Sequence, residues 1–133
     1  ADQDWTLPPD IVASHGLSQE EYGRILAILE REPLPRWSDG RVVLLGDSCH
    51  PMTPYMAQGA ATAIEDAAVL ARCLEAVEGE DLVSAFRLYE ANRKPRTAKI
   101  QAISSANTWM QGGDQDTSWL YGYDAWNVPL ETA

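Results

Sequence analysis

The apolar positions of this chain follow two different spacings, and each spacing predicts its own kind of element. Over residues 59–76, Ala60, Ala63, Ile64, Ala67, Ala68, Ala71 and Leu74 recur at steps of three and four. That is one broad stripe of a helix, with side chains small enough for another element to come close, as for a helix pressed onto a sheet. A second helix is expected over 81–92, where Leu82, Ala85, Phe86 and Tyr89 share a face. Pro95 should interrupt or kink it before a third segment that carries Ile100 and Ile103. Ser18 with Glu21 three residues on has the form of a capping box, so a short helix is expected over 19–26. Residues 27–32 could prolong that helix or form a strand, because Pro33 and Pro35 would stop either.

The other spacing is an unbroken apolar run. Val42, Val43, Leu44 and Leu45 are entered from Asp39-Gly40 and left through Gly46, the pattern of a strand over 42–46 buried on both faces of a parallel sheet. No other run in the chain resembles a neighbour for it, so its sheet partners are missing from the sequence. Residues 2–16, with Pro8-Pro9, read as irregular. The stretch from Trp109 to Leu130 has no clear period, and its order should depend on a docking surface.

Composition narrows the partners. Of 133 residues 45% are hydrophobic and 23% charged, which suits one packed domain and argues against disorder. The net charge of −10 disfavours nucleic acid and anionic membrane surfaces. No apolar run is long enough to span a membrane and the first residues lack the form of a signal peptide, so a cytoplasmic location is expected. Cys49 and Cys73 form neither a metal-type pair nor a disulfide framework, consistent with reduced thiols.

Candidate chemistry concentrates in Gly46-Asp47-Ser48-Cys49-His50-Pro51-Met52-Thr53-Pro54-Tyr55-Met56-Ala57-Gln58-Gly59-Ala60-Ala61, followed by Ile64-Glu65-Asp66-Ala67. A carboxylate just past a buried strand stands where open α/β sheets bind ligands, able to accept hydrogen bonds from sugar or polyol hydroxyls. The helix opening at Gly59 offers free amides and a positive dipole end to a carbonyl oxygen or an anionic ring. Together they could hold two ends of one elongated ligand.

This block closely resembles the second flavin-binding motif of the single-component, group A flavoprotein aromatic hydroxylases, the para-hydroxybenzoate hydroxylase-like family. The shared pattern is a strand, Gly-Asp, a small pair, His, Pro, a Gln-Gly helix start and then an acidic residue with Ala. The resemblance implies an α/β fold, the C-terminal part of a Rossmann-like FAD-binding monooxygenase, helix-dominated in these residues. It implies that Asp47 binds a ribityl hydroxyl of FAD and that the amides of Gly59, Ala60 and Ala61 face the O2 and N1 edge of the isoalloxazine. Pro54 would lie over the ring, and Pro54, Tyr55 and Met56 would line the substrate pocket, although Met56 also suits simple packing. NADH or NADPH would reduce the flavin, and a C4a-hydroperoxyflavin would hydroxylate a phenol-like or hydroxylated N-heteroaromatic acid.

The likeness extends to Arg31-Glu32-Pro33-Leu34-Pro35-Arg36-Trp37, which favours a strand over 27–32, and to Tyr89-Glu90 with Arg93, Pro95 and Arg96. Trp119-Leu120-Tyr121-Gly122-Tyr123-Asp124-Ala125-Trp126 resembles the tail of the branch acting on salicylate, 3-hydroxybenzoate and 6-hydroxynicotinate. The block from Met52 to Gly59, with Asn107-Thr108-Trp109, leans toward the 6-hydroxynicotinate members. On this reading residues 1–35 are a remnant of the substrate domain, 36–76 the strand, loop and helix of the FAD-binding domain, and 77–133 the C-terminal helices and aromatic tail. No Gly-x-Gly-x-x-Gly occurs, so the unit that would hold the ADP half of FAD is expected in an N-terminal part of the same protein. The 133 residues alone should be inactive, and homodimer formation is possible.

Other readings compete residue by residue. Asp47 could simply be a turn residue, Asp66 suits a structural hydrogen bond inside its helix, and the basic stretch from Arg93 to Lys99 a solvated face or ion-pair partner. The tail aromatics suit packing. Cys49 beside His50 suggests a thiol nucleophile, but sequence neighbours rarely point at each other. Gly46-Asp47-Ser48 also reads as the nucleophile turn of a GDSL hydrolase with Ser48, which lacks a downstream base because His15 and His50 are the only histidines. A non-catalytic helical interaction module is the third class.

Overall fold

A computed structural model describes residues 14, 16–29, 31–53, 57–79, 81–106 and 116–132. In chain order the elements are α1 (Gln19–Leu29), β1 (Ser38–Asp39), β2 (Val42–Val43), a single 3-10 turn (Gly46–Ser48), α2 (Gly59–Ala76), α3 (Leu82–Ala106) and the short α4 (Ser118–Tyr121). Among the described residues, helix α2 packed on α3 forms the body, and the 3-10 turn lies against α2.

Helix α1 begins as expected: Glu21 N donates to Ser18 Oγ at 3.2 Å, and Glu21 Oε2 accepts from Ser18 N at 2.8 Å. It then runs on to Leu29, so the expected strand over 27–32 is not observed. A capped start and the Arg24–Glu20 pair favour continuing the helix, and no described strand lies beside this segment to reward an extended one.

The strand expected over 42–46 is corrected too. It is a two-residue strand that pairs antiparallel with β1, Ser38 opposite Val43 and Asp39 opposite Val42. Gly40, first in the connecting turn, has φ 56, a conformation that favours glycine. Val42 is 66% exposed, so the run is not buried on both faces. With no parallel neighbour among the described residues, its backbone takes the one edge within reach, the segment just before it.

The face of α2 differs from expectation in the same sense. Its buried positions are Thr62, Asp66, Ala68, Val69 and Cys73, whereas Ile64 is 72% exposed and Leu74 is exposed as well. Most of the predicted stripe is therefore exposed or half-buried, Ala68 excepted, and a row containing Thr and Asp faces the body. One cluster joins Trp37, Cys49, Val69, Cys73 and Tyr89, and a second joins Met52, Ile100 and Leu120.

Helix α3 is one 25-residue helix with Pro95 inside it, so the expected interruption does not occur. Its buried positions Ala85, Phe86, Tyr89, Arg93, Thr97, Ile100, Gln101 and Ser104 continue at helical spacing on both sides of the proline. Anchoring on each side outweighs the roughly 3 kcal/mol that an interior proline costs. The tail does dock: Arg72 donates to the Ala125 and Val128 carbonyls at 2.8 and 2.7 Å, and Asn92 bonds the Glu131 backbone in both directions.

Gly46 joins the strand to the turn with φ 64, and a Cβ there would stand 3.1 Å from the Ala63 Cβ. Both constraints demand glycine. Gly46→Ala should destabilise the full-length protein by about 1–3 kcal/mol, read as a lower urea midpoint. An unchanged midpoint would show that the turn relaxes without cost.

Candidate functional site

The turn that follows the hairpin is built around Asp66. One carboxylate oxygen, Oδ2, accepts from the Gly46 amide at 3.0 Å and bonds His50 Nε2; the other, Oδ1, accepts from Arg93 Nε at 2.7 Å. Asp66, His50 and Arg93 all have no exposed surface. Arg93 also bonds Glu65 at 2.8 Å and the Thr62 carbonyl at 3.2 Å. Arg96 makes a two-point pair with Glu65 at 2.9 and 2.8 Å, donates to the Trp119 and Leu120 carbonyls, and lies 3.9 Å from the Tyr123 ring centroid. Two acids, two arginines and an imidazole thus form one network from the 3-10 turn to the tail.

Burial alone would raise the Asp66 pKa, but the His50 hydrogen bond and the charge and hydrogen bond of Arg93 outweigh it and hold the carboxyl below its ordinary value. Burial likewise works against the Arg93 charge, and Asp66 and Glu65 reverse the effect, raising its pKa. His50 Nδ1 and Arg93 Nη1 are buried with no hydrogen-bond partner among the described residues.

Asp47 sits in the 3-10 turn with its side chain exposed and makes no ion pair or hydrogen bond among the described residues. A Cβ on Gly59 would lie 3.7 Å from Asp47 Oδ1, so the carboxylate and the first turn of α2 are neighbours. Gln58, the N-cap, gives no side-chain cap, and the first intrahelical bond is Thr62 N to Gln58 O at 2.9 Å. The amides of Gly59, Ala60 and Ala61 precede it and have no intrahelical acceptor. The structure therefore sets Asp47 beside Gly59, the first residue of the turn that Ala60 and Ala61 continue. Pro54, Tyr55 and Met56 lie outside the described residues.

The rival chemistries find no support in the geometry. Burial, then the Asp66 charge, push the Cys49 thiol up to about 12, and its Sγ donates to the Gly46 carbonyl at 3.3 Å. Ser48 Oγ is engaged with the Leu45 backbone, at 2.8 Å to its carbonyl, and His50 is committed to Asp66. Cys49, His50 and Asp66 are close enough to ligate a metal, but Arg93 already neutralises the carboxylate they would offer. No described helix is long and apolar enough to cross a membrane.

The sequence suits Asp66 to a structural hydrogen bond and leaves Arg93 to Lys99 as a solvated face or an ion-pair partner; in the structure Arg93 and Arg96 are ion-paired, with Asp66 and Glu65 as partners the sequence does not name. The available signal was the adjacent Glu65-Asp66 pair matched by arginines three apart on the next helix.

An exposed carboxylate beside a helix start whose N-cap Gln58 makes no side-chain cap suits a ligand that carries both hydroxyl donors and an electron-rich carbonyl edge, as a flavin nucleotide does. Comparison with known proteins gives the family. Residues 12–104 match the FAD binding domain family, and the chain belongs to it, in the lineage of the group A aromatic hydroxylases. The chain is 61% identical over 104 residues to 6-hydroxynicotinate 3-monooxygenase of Pseudomonas fluorescens, covering 78% of this chain and 27% of that protein. The 6-hydroxynicotinate 3-monooxygenase of Bordetella bronchiseptica is 54% identical over 103 residues, covering 77% of this chain and 27% of its own length. The crystal structure of CtdE with FAD and a substrate superposes with TM-score 0.63 at 31% identity, over 71% of this chain and 26% of CtdE. The chain spans about a quarter of the length of the curated relatives it matches.

Removing the Asp66 charge leaves Arg93 incompletely paired in the interior. Asp66→Asn should cost the full-length protein about 3–5 kcal/mol at neutral pH. Because the folded pKa is lowered, the Asp66 charge stabilises the protein fully above the unfolded carboxylate pKa of about 3.9, and that contribution fades as pH falls through the lower folded value. Urea midpoints of wild type and variant should therefore converge below about pH 4. A gap that stays constant into acid would contradict this assignment.

Proposed function

We propose that this chain forms the flavin-edge part of an FAD-dependent monooxygenase that uses NADH or NADPH and hydroxylates an aromatic acid of the 6-hydroxynicotinate or salicylate class. The observation that carries the reading is the juxtaposition of the Asp47 carboxylate with the open first turn of α2. The names of the relatives support the substrate class.

In this reading Asp47 accepts a hydrogen bond from a ribityl hydroxyl, and the amides of Gly59, Ala60 and Ala61 face the carbonyl edge of the ring. Bound FAD supplies the redox and oxygen chemistry. The amides and the helix dipole stabilise negative charge on that edge. Pro54, Tyr55 and Met56 are assigned to the ring and substrate pocket on the resemblance of their motif. Residues 36–76 act as the cofactor-holding segment, with 77–133 bracing it and 1–35 belonging to the substrate domain. The phosphate-binding glycines are supplied by an N-terminal part of the protein. Two free, buried cysteines suit a reducing cytoplasm.

Asp47→Ala in the full-length enzyme should weaken FAD binding about tenfold or more, the loss of one charge-assisted hydrogen bond of about 1.5–3 kcal/mol. Flavin fluorescence titration reads it directly, and unchanged affinity would refute the role of Asp47. The same titration with the isolated 133-residue chain should show no binding, and stoichiometric binding would refute the need for the N-terminal part.

A further inference from the structure

Asp47 owes its place to contacts it does not make itself. Gly46 before it and His50 after it both reach the same buried oxygen, Asp66 Oδ2, one through its backbone amide at 3.0 Å and the other through its ring. The three residues between, Asp47, Ser48 and Cys49, are therefore a short arc closed at both ends on one atom. Cys49 and His50 also return their amides to the Gly46 carbonyl at 3.0 Å, which tightens the arc. Asp66 in turn is fixed from the opposite side by Arg93 Nε at 2.7 Å, and its helix touches Gly46 again through Ala63.

Helix α2 carries Gly59, Ala63 and Asp66 on one rigid rod. Gly59 at its start is seven residues before Asp66, about 10 Å along the axis. The carboxylate that clamps the arc and the amides beside Asp47 are thus parts of a single element. We propose that Asp66 is a positioning residue for the cofactor: by gripping Gly46 and His50 it fixes the Asp47 carboxylate relative to the first turn of α2, so that both meet one flavin at once. The proposal rests on the reading of Asp47 as an FAD ligand. A ligand-holding group must be placed to within about 0.5 Å, and Asp47 has no hydrogen bond of its own among the described residues to place it.

A purely structural Asp66 would lower the amount of folded protein without caring whether residue 47 carries a carboxylate. The test is a double-mutant cycle on FAD affinity in the full-length enzyme, with folded protein isolated by gel filtration and checked by near-UV circular dichroism. Asp66→Asn should weaken FAD about tenfold when Asp47 is present and less than about twofold in the Asp47→Ala background. Equal losses in both backgrounds, or no loss in folded Asp66→Asn enzyme, would overturn the proposal. An Asp47→Ala enzyme with unchanged FAD affinity would overturn the underlying reading and this proposal with it, whereas additive losses overturn this proposal alone. If Asp66→Asn yields no folded protein, His50→Gln releases one end of the arc and leaves the Asp66–Arg93 pair in place. It should show the same dependence on Asp47 with a loss of about threefold, and additivity there would overturn the proposal equally.

Discussion

A carboxylate with no exposed surface stays ionised only if its charge is met where it stands, and everything around Asp66 answers that requirement. Arg93 provides the counter-charge, and His50 and the Gly46 amide provide the remaining hydrogen bonds. Those partners come from the 46–50 turn and from α3, so meeting one charge fixes the turn, α2 and α3 in a single register. The apolar clusters add bulk on both sides of this centre but are non-directional. The ion network is what gives the arrangement one orientation.

The same logic reaches the C-terminal tail. Glu65, beside Asp66, binds Arg96, and Arg96 in turn donates to the Trp119 and Leu120 carbonyls while its guanidinium carbon lies over the Tyr123 ring. Arg72 and Asn92 hold the remainder of the tail through backbone atoms. A segment with no regular hydrophobic period is thereby ordered by side chains that read its carbonyls. Such contacts depend on backbone position more than on residue type, which is why the tail sequence shows so little pattern.

The proximity of Asp47 to the start of α2 was legible in the sequence, and the fold less so. Gly46-Asp47 and Gln58-Gly59 announced their pairing because turn glycines and helix starts have local causes, and the structure sets Asp47 against Gly59. The capping box at Ser18 and Glu21 was local in the same way. What local pattern misjudged was anything decided by absent or distant neighbours. Val42 reads as doubly buried and is exposed, because a parallel strand is buried by elements that other residues must supply. Ile64 is exposed and Thr62 buried for a related reason: periodicity reports which face is apolar, not which face a given neighbour covers. Pro95 reads as an interruption or a kink; the helix is continuous there, with long-range anchors through Arg93 and Ile100 carrying it past the proline. The partners of Asp66 were invisible because His50 and Arg93 stand 16 and 27 residues away from it.

We propose that Asp66, a buried acid, holds the exposed Asp47 carboxylate and the start of α2 in place for a flavin. A crystal structure of the full-length enzyme with FAD bound tests it most directly. The expected result is an Asp47 oxygen within about 3 Å of a ribityl hydroxyl, the amides of Ala60 and Ala61 turned toward the pyrimidine edge of the ring, and Asp66 still bonded to Gly46 and His50. A flavin seated away from both Asp47 and the start of α2, or an Asp66 that releases Gly46 on binding, would contradict it.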